Sequence, residues 1–255
     1  MLKNKLLVAA LASAFALPAL AEDAPASPFS SNVSLTSNYL YRGISQTGAK
    51  PAIQGGFDYA GSSGLYIGAW GSSISWLSDA GVATSAGLEL DTYFGYKGTG
   101  GPISYDVGFL RYNYPGTYVA GATTGDTNEV YGAITYSIVT LKYSYALGQT
   151  FGVPDAKGTN YIDLSASYTI PNTGVSLGAH YGKQTYKGSS AKYTAAIASG
   201  TPTYSDYKLS VSKDFSGYVL GLAYSDTKDA SAFYTSLQNK KLGKGTAVLS
   251  LTRTF

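Results

Sequence analysis

Two acidic residues and one histidine are the side chains of this sequence best suited to acid–base or metal chemistry. Glu89 and Asp91 lie two positions apart, so in a strand they share one face, which would suit a divalent cation or a carboxylate pair. The alternative is that both are charges on the wall of a water-filled pore. His180 is the only histidine, so hydrolysis by a serine–histidine–acid set would have to use it.

The sequence motifs that usually accompany such chemistry are missing. There is no G-x-S-x-G nucleophile turn, no phosphate-cradling loop, no zinc-ligand spacing and no dinucleotide fingerprint. We therefore predict a protein that is not an enzyme, with no catalytic residues, no bound metal and no cofactor.

A second polar group surrounds the stretch YRGISQTGAKPAIQGG at 41–56. Alternation places Arg42 at the top of a first strand, and Gln54 and Asp58 on the same face of a second strand. Two hypotheses stay open for these residues. They form part of a constriction that sorts solutes by charge, or they form a hydrogen-bonded network that holds residues 43–50 against the wall.

Composition narrows the classes of protein to which this chain can belong. Charged residues make up 13% of the 255 residues, about half of the usual quarter, while tyrosine occurs 24 times and glycine 31 times. Without Lys3 and Lys5, 16 basic residues face 15 acidic ones, so no nucleic-acid partner is predicted. The absence of cysteine excludes a lipid-anchored lipoprotein.

The N-terminal stretch MLKNKLLVAALASAFALPALA has the pattern of a secretory signal peptide. Its two lysines precede an apolar run from Leu6 to Leu17, and small residues at Ala19 and Ala21 suit cleavage after Ala21. We predict a signal peptide at 1–21 that directs the chain to the Sec export pathway, followed by a periplasmic tail at 22–30.

Alternating polarity predicts the strands that position the polar residues. Leu88, Leu90 and Phe94 alternate with Glu89 and Asp91, and this period of two recurs along the chain. No apolar run after the signal peptide is long enough for a spanning helix, and a closed barrel is the other structure that satisfies the backbone in lipid. The sequence predicts an all-β fold, a transmembrane antiparallel up-and-down β-barrel at 31–255. Its twelve strands are expected near 31–42, 51–60, 64–76, 87–97, 102–114, 128–138, 139–148, 159–170, 174–186, 204–214, 217–226 and 245–255.

The connections support this strand count, although the sixth and seventh segments could also form one broken strand. Short connections such as GTGG and PNTG alternate with long ones, as expected for short periplasmic turns and long extracellular loops. Alternation then predicts which side chains line the pore. The candidates are Arg42, Gln54, Asp58, Glu89, Asp91, Asp106, Glu129, Lys142, Asp163, His180 and Lys208.

The charge balance of the inward face predicts a slight preference for cations. Together with Lys97, the inward set holds six carboxylates against four cations, with His180 left aside. Trp70 and Trp76 are predicted to anchor the barrel at the membrane interface.

The chain closes with LSLTRTF, which places apolar side chains on one face of the last predicted strand. Leu249, Leu251 and Phe255 face lipid in this prediction, with Phe255 at the aromatic girdle. A C-terminal aromatic residue on such a strand resembles the signal read by the outer-membrane barrel assembly machinery. Arg253 departs from that pattern, because an aromatic or apolar residue is usual there.

Two stretches carry a family resemblance. LTSNYLYRGISQTGAKPAIQGGFDY at 35–59 and GLYIGAWGSSI at 64–74 resemble the opening signature of the TorF-type porin family of exported proteobacterial proteins. The resemblance implies a pore-forming barrel in the bacterial outer membrane whose physiological solute is undefined. It supplies no established site residues.

The leading hypothesis is a porin-like channel for passive diffusion of small polar solutes or ions, with outer-membrane lipid around it. Small inward residues such as Ser165 and Gly178 leave room for water, whereas the inward Tyr66, Tyr93 and Tyr131 fill space. The alternative is a non-conducting structural or surface-binding barrel whose ligands would bind the loops at 115–127, 187–203 and 227–244. An outer-membrane hydrolase that uses His180 is a weaker alternative.

Overall fold

The computed structural model describes residues 27–188, 202–230 and 232–255. The predicted signal peptide at 1–21 and most of the tail predicted at 22–30 lie outside the described residues. In chain order the strands are β1 (Phe29–Thr36), β2 (Leu40–Tyr41), β3 (Ile44–Ser45), β4 (Ala52–Ala60), β5 (Leu65–Ser73), β6 (Ala83–Ser85), β7 (Leu88–Gly100), β8 (Ile103–Asn113), β9 (Thr117–Tyr118), β10 (Thr127–Tyr136), β11 (Val139–Ala146), β12 (Asn160–Ile170), β13 (Val175–Thr185), β14 (Tyr204–Phe215), β15 (Tyr218–Lys228) and β16 (Thr246–Thr254).

Twelve of these strands form a closed antiparallel barrel, as the sequence predicts. The order around the barrel is β1, β4, β5, β7, β8 and then β10 to β16, and β16 pairs with β1 to close it. At this seam Asn32 lies opposite Thr254 and Thr36 lies opposite Ser250. Closure leaves no strand edge exposed, because every strand has a partner on both sides.

The remaining described elements are short and belong to the connections. β2 pairs with β3, β6 pairs with β9, and a four-residue helix α1 spans Trp76–Asp79. A single 3₁₀ turn spans Ala232–Tyr234. Across the described ranges, no helix combines the length and the apolar character needed to span a membrane.

The outer surface of the barrel is apolar. Leu35, Ile53 and Leu209 are 57%, 58% and 66% exposed, and the other outward positions of their strands are also mainly aliphatic or aromatic. The predicted lipid-facing residues Leu249 and Leu251 are exposed on β16. Such a continuous apolar belt is typical of a barrel surrounded by hydrocarbon, because water would make its exposure costly.

Short and long connections alternate around the barrel. The turns at 61–64, 101–102, 137–138, 171–174 and 216–217 are short, and the connections at the opposite end are longer. Ser137, at φ 55°, and Ile138 form a two-residue turn between β10 and β11. The sixth and seventh predicted segments are therefore two separate strands.

Tyrosine rings fill the half of the barrel interior formed by β4 to β10. Each of three buried tyrosines lies over a glycine on the neighbouring strand, where a β-carbon would collide with the ring. The pairs are Tyr66 over Gly95, Tyr93 over Gly68 and Tyr131 over Gly108. In these three pairs a glycine leaves the space that the ring of the neighbouring tyrosine fills.

The first predicted strand is too long at its C-terminal end. β1 ends at Thr36 rather than at residue 42, and residues 37–51, here called loop 1, fold into the barrel. Tyr39, which would face lipid like Leu35 if the first strand continued to residue 42, is only 4% exposed inside the barrel. Alternation continues through this segment because a hairpin in the lumen has two different faces, just as a strand in the wall does.

Substitution of neighbouring residues on β14 tests which face contacts lipid. Leu209 is outward, and Ser210 lies on the inward face beside Gly178. We expect Leu209→Arg to lower the free energy of unfolding by about 2–4 kcal/mol, because arginine is costly in hydrocarbon. The matched variant Ser210→Arg places the same charge at the same depth in the lumen, and its effect should be much smaller. Chemical unfolding in lipid vesicles measures both, and equal effects would contradict the assignment of faces.

Candidate functional site

Loop 1 crosses the barrel interior as a short hairpin built from β2 and β3. Arg42 and Gly43, at φ 47° and 79°, form its tip, and the left-handed conformation suits the glycine. A β-carbon at Gly43 would come within 2.7 Å of the β-carbon of Asp206, so the tip lies against β14. The hairpin therefore places Arg42 deep in the lumen.

Small polar side chains hold loop 1 in this position. The Ser45 hydroxyl donates to Asn38 Oδ1 at 2.7 Å, and Thr47 Oγ1 donates to the Lys50 carbonyl at 2.6 Å. The Ser37 amide donates to the Leu249 carbonyl of β16 at 2.8 Å. The loop is thus tied both to itself and to the wall, which satisfies backbone groups that would otherwise be buried without partners.

Arg42 forms the most elaborate polar cluster of the lumen. Its two terminal nitrogens donate to the Glu129 carboxylate at 3.1 and 2.8 Å, and one of them also donates to Gln184 Oε1 at 2.7 Å. The guanidinium lies 4.8 Å from the ring centre of Tyr41 and 4.3 Å from that of Tyr161. A planar fork between two rings and a carboxylate is a geometry that arginine fits and lysine does not.

The charge of Arg42 is maintained despite burial. Burial is the largest single influence and acts to lower the pKa, but Glu129 raises it, and the pKa of Arg42 is well above its ordinary value. The ion pair is buried on both sides, with the two side chains 7% and 3% exposed. Arg42 at the tip of loop 1 therefore stays charged inside the barrel, and Glu129 balances its charge.

Arg42 and Asp58 do not share one stretch of wall as predicted. Asp58 lies opposite Ser30 near the opposite end of β4 and accepts a hydrogen bond from Tyr93 at 2.6 Å. Gln54 lies higher on β4 and donates to Ser72 at 3.2 Å. The reason is that Arg42 leaves the wall with loop 1, so its partners come from β10 and β13 rather than from the next strand.

Glu89 and Asp91 lie together on the inward face of β7, and both are buried. The Tyr39 hydroxyl of loop 1 donates to Glu89 Oε1 at 2.9 Å, and Tyr114 also bonds to Glu89. Burial, followed by the charge of Glu89, raises the pKa of Tyr39 well above its ordinary value, so this hydroxyl stays a donor. Within the described ranges no three acidic, histidine or cysteine side chains are grouped as metal ligands.

His180 lies between two carboxylates on the wall. Its Nδ1 is 2.9 Å from Asp163 Oδ2 and its Nε2 is 2.8 Å from Asp206 Oδ2. The Tyr161 hydroxyl is 3.0 Å from Nε2 and donates to Asp206 Oδ1 at 2.8 Å. Because both ring nitrogens face carboxylate oxygens, neither is left to take a proton from a serine nucleophile, which a hydrolase would require.

Three further predicted or inward residues lie next to Tyr66 and Tyr131, namely Asp106, Lys97 and Lys142. Tyr66 donates to Asp106 Oδ1 at 2.6 Å, and Lys97 Nζ lies 3.9 Å from Asp106 Oδ2. Lys142 Nζ lies 4.1 Å from the centre of the Tyr131 ring, a cation–π distance.

A cavity of about 350 Å³ lies beside loop 1, along the wall formed by β11 to β16. Small residues dominate this half of the barrel, in contrast to the tyrosine-filled half. Its polar lining includes Arg42, Gln54, Lys142, Asp163, His180, Asp206, Lys208, Ser144, Ser165, Ser167, Ser176, Ser210, Ser212, Ser225 and Ser250. The structure thus brings six of the eleven predicted pore-lining residues to one cavity, and Asp58, Glu89, Asp91, Asp106 and Glu129 are not among the residues that line it.

Sequence reasoning missed several residues of this site. Asp206 has the same parity as Lys208 on β14, and Tyr161 has the same parity as Asp163 on β12, so alternation alone would have found both. Gln184 likewise has the same parity as His180 on β13, whereas Tyr41 carries no comparable signal. Trp70 and Trp76, predicted as interface anchors, instead contact Tyr39 and Tyr114 inside the protein. Trp70 has the same parity as the inward Tyr66 on β5, and Trp76 lies in α1.

Comparison with known proteins identifies a family and a fold. Residues 21–255 match the model of a family described as "Bacterial protein of unknown function (Gcw_chp)". No curated protein matches the sequence. Among solved structures, the NanC porin aligns with a TM-score of 0.54 at 8% identity, over 88% of this chain and 98% of that chain. The KdgM porin in complex with disordered oligogalacturonate aligns with a TM-score of 0.50 at 7% identity, over 89% and 97%. At such low identity these similarities show the fold alone.

The contribution of the Arg42–Glu129 pair is measurable with a double-mutant cycle. We expect Arg42→Met to lower the free energy of unfolding by about 3–5 kcal/mol, since it leaves the Glu129 carboxylate buried without its cation. The double variant Arg42→Met, Glu129→Gln should recover much of this loss. Urea unfolding of the refolded barrel in detergent gives the values.

Arg111 provides the control for this cycle. It pairs with Asp126 at 3.3 Å, but its side chain is 41% exposed, so Arg111→Met should cost about 0–1 kcal/mol. If the loss in the double variant equalled the sum of the losses in the single variants Arg42→Met and Glu129→Gln, the two residues would not be energetically coupled.

Proposed function

This chain belongs to the Gcw_chp family of bacterial proteins, and we propose that it forms a narrow porin-like channel in the outer membrane. Its solutes are small polar molecules or ions that cross by passive diffusion. The observation that carries the proposal is the polar cavity of about 350 Å³ inside a closed barrel whose outer face is apolar. A hydrophilic interior within a lipid-facing barrel is the arrangement that such channels require.

Three further observations support the location in the outer membrane. The barrel fold is shared with the porins NanC and KdgM. Residues 35–59 and 64–74 resemble the TorF-type porin family. Phe255 follows β16 and is 70% exposed, which suits recognition of this strand by the barrel assembly machinery after export through the Sec pathway.

The proposed route runs along one side of the barrel. Tyr66, Tyr93 and Tyr131 occupy the opposite half, so solutes pass the serine-rich wall of β12 to β16. Loop 1 narrows this route, and Arg42 at its tip borders the cavity. Because the guanidinium is held by Glu129 and Gln184, the constriction has a fixed width and not a fluctuating one.

The alternative is a non-conducting barrel that serves a structural or surface-binding role. The observation that favours it is the close packing of loop 1, whose residues Tyr39, Ile44 and Thr47 are all nearly buried. In that case any ligand would bind the outer connections, and the barrel would only display them.

Single-channel recording in a planar lipid bilayer distinguishes the two functions. The refolded mature protein should give discrete conductance steps, and Arg42→Ala should roughly double the conductance, because it removes the side chain that narrows the route. Arg111→Ala is the matched control, since this arginine also has a carboxylate partner but is not among the cavity-lining residues. A correctly folded barrel without conductance steps would favour the alternative.

A further inference from the structure

We infer that the passage selects small anions, in particular hydroxylated carboxylates, and that Lys142 and Lys208 set this selectivity. The inference rests on the proposed channel function. It starts from the charges that border the cavity. Among its described lining residues, Arg42, Lys142 and Lys208 are cations, and Asp163 and Asp206 are the carboxylates. Glu129 balances Arg42, and the two lysines balance the two aspartates, so an imidazolium at His180, which lies between Asp163 and Asp206, makes the lining net positive.

This balance is the reverse of the one obtained from alternation alone. Of the six inward carboxylates that gave the predicted cation preference, Asp163 alone lines the cavity, and Glu129 is paired with Arg42. Glu89 and Asp91 lie on β7, where Glu89 is covered by Tyr39 of loop 1, and Asp58 and Asp106 accept hydrogen bonds from tyrosines in the filled half of the barrel. Salt in the passage further screens the charges that do not line it.

His180 further reduces the attraction of the cavity for cations. Each of its ring nitrogens faces an oxygen of one cavity carboxylate, Asp163 or Asp206, and Tyr161 donates to a second oxygen of Asp206. The oxygen atoms that would otherwise bind a cation are thus engaged by wall side chains. A protonated imidazolium, which donates from both nitrogens, satisfies both carboxylates and adds one more positive charge.

The two lysines occupy neighbouring levels of the wall. Lys142 of β11 lies opposite Asp163 of β12, and Lys208 of β14 lies opposite His180 of β13 and Ser225 of β15. An anion that moves along this wall therefore meets one ammonium group and then the other. Two successive sites of moderate affinity favour conduction, because a solute that binds one site can leave for the next.

The serine hydroxyls of the cavity suit an anion that also carries hydroxyl groups. Ser165, Ser210 and Ser225 lie on the cavity surface at or next to the level of Lys208. Hydroxyl groups donate and accept hydrogen bonds, so they replace the hydration shell of both a carboxylate and a sugar-like hydroxyl. A cavity of about 350 Å³ accommodates a solute of this kind with a few waters. We therefore assign the ligand class as small hydroxylated carboxylates.

Reversal potentials in a planar bilayer test the selectivity. Under a potassium chloride gradient the wild-type channel should show a reversal potential of the sign that indicates anion preference. Replacing chloride by gluconate on one side should preserve a measurable anion current. Lys142→Gln and Lys208→Gln should each lower the anion-to-cation permeability ratio by about fivefold, as expected for the loss of one nearby charge.

Lys213→Gln is the matched control, because Lys213 lies on the exposed outer face of β14 and should leave the ratio unchanged. Conductance steps with cation preference, or a ratio that neither cavity variant changes, would overturn this inference and leave the channel function intact. A folded barrel with no steps in any salt would overturn the channel function itself, and the selectivity with it.

Discussion

A buried arginine has to keep both its charge and its hydrogen-bond partners, and this constraint organises the lumen of the barrel. Arg42 meets it with a two-point contact to Glu129, a bond to Gln184 and two flanking tyrosine rings. Since an unpaired buried charge is very costly, loop 1 has one favourable position in which these partners are all reached. The position of the loop in turn covers Glu89 and borders the cavity. The position of loop 1 and the lining of the cavity thus depend on one ion pair.

The barrel interior is divided into two halves with different packing. On one side, tyrosine rings lie over glycines and their hydroxyl groups satisfy Asp58 and Asp106. On the other side, serine, glycine and alanine leave a polar cavity. Aromatic rings are large enough to fill the interior of the barrel. Small side chains leave part of it open. A twelve-stranded barrel, which is intermediate in size between filled and open barrels, therefore has a polar cavity on one side of its interior.

The porins NanC and KdgM share the barrel fold with this chain at a sequence identity of 8% and 7%. A fold of this kind is specified by alternation between lipid and lumen, which leaves the identity of each inward residue open. The function of this chain has to be inferred from its own inward residues. The net charge of the cavity is an example. It depends on which inward carboxylates are hydrogen-bonded to tyrosines and which are bonded to His180.

The sequence determined the strands of this protein, because each wall residue contacts either lipid or lumen and the period of two records that choice. It therefore predicted the twelve strands, the short turns and the outward position of Leu249 and Leu251, and the alternation that identified Lys208 also applies to Asp206. Only the tertiary structure decided that residues 37–51 fold inward, that Arg42 meets Glu129, and that Trp76 packs against Tyr114. The physical reason is that alternation reports the polarity of two faces but not what each face contacts. A hairpin packed in the lumen and a strand in the wall give the same pattern. The 87 positions between Arg42 and Glu129 carry no local signal of their contact.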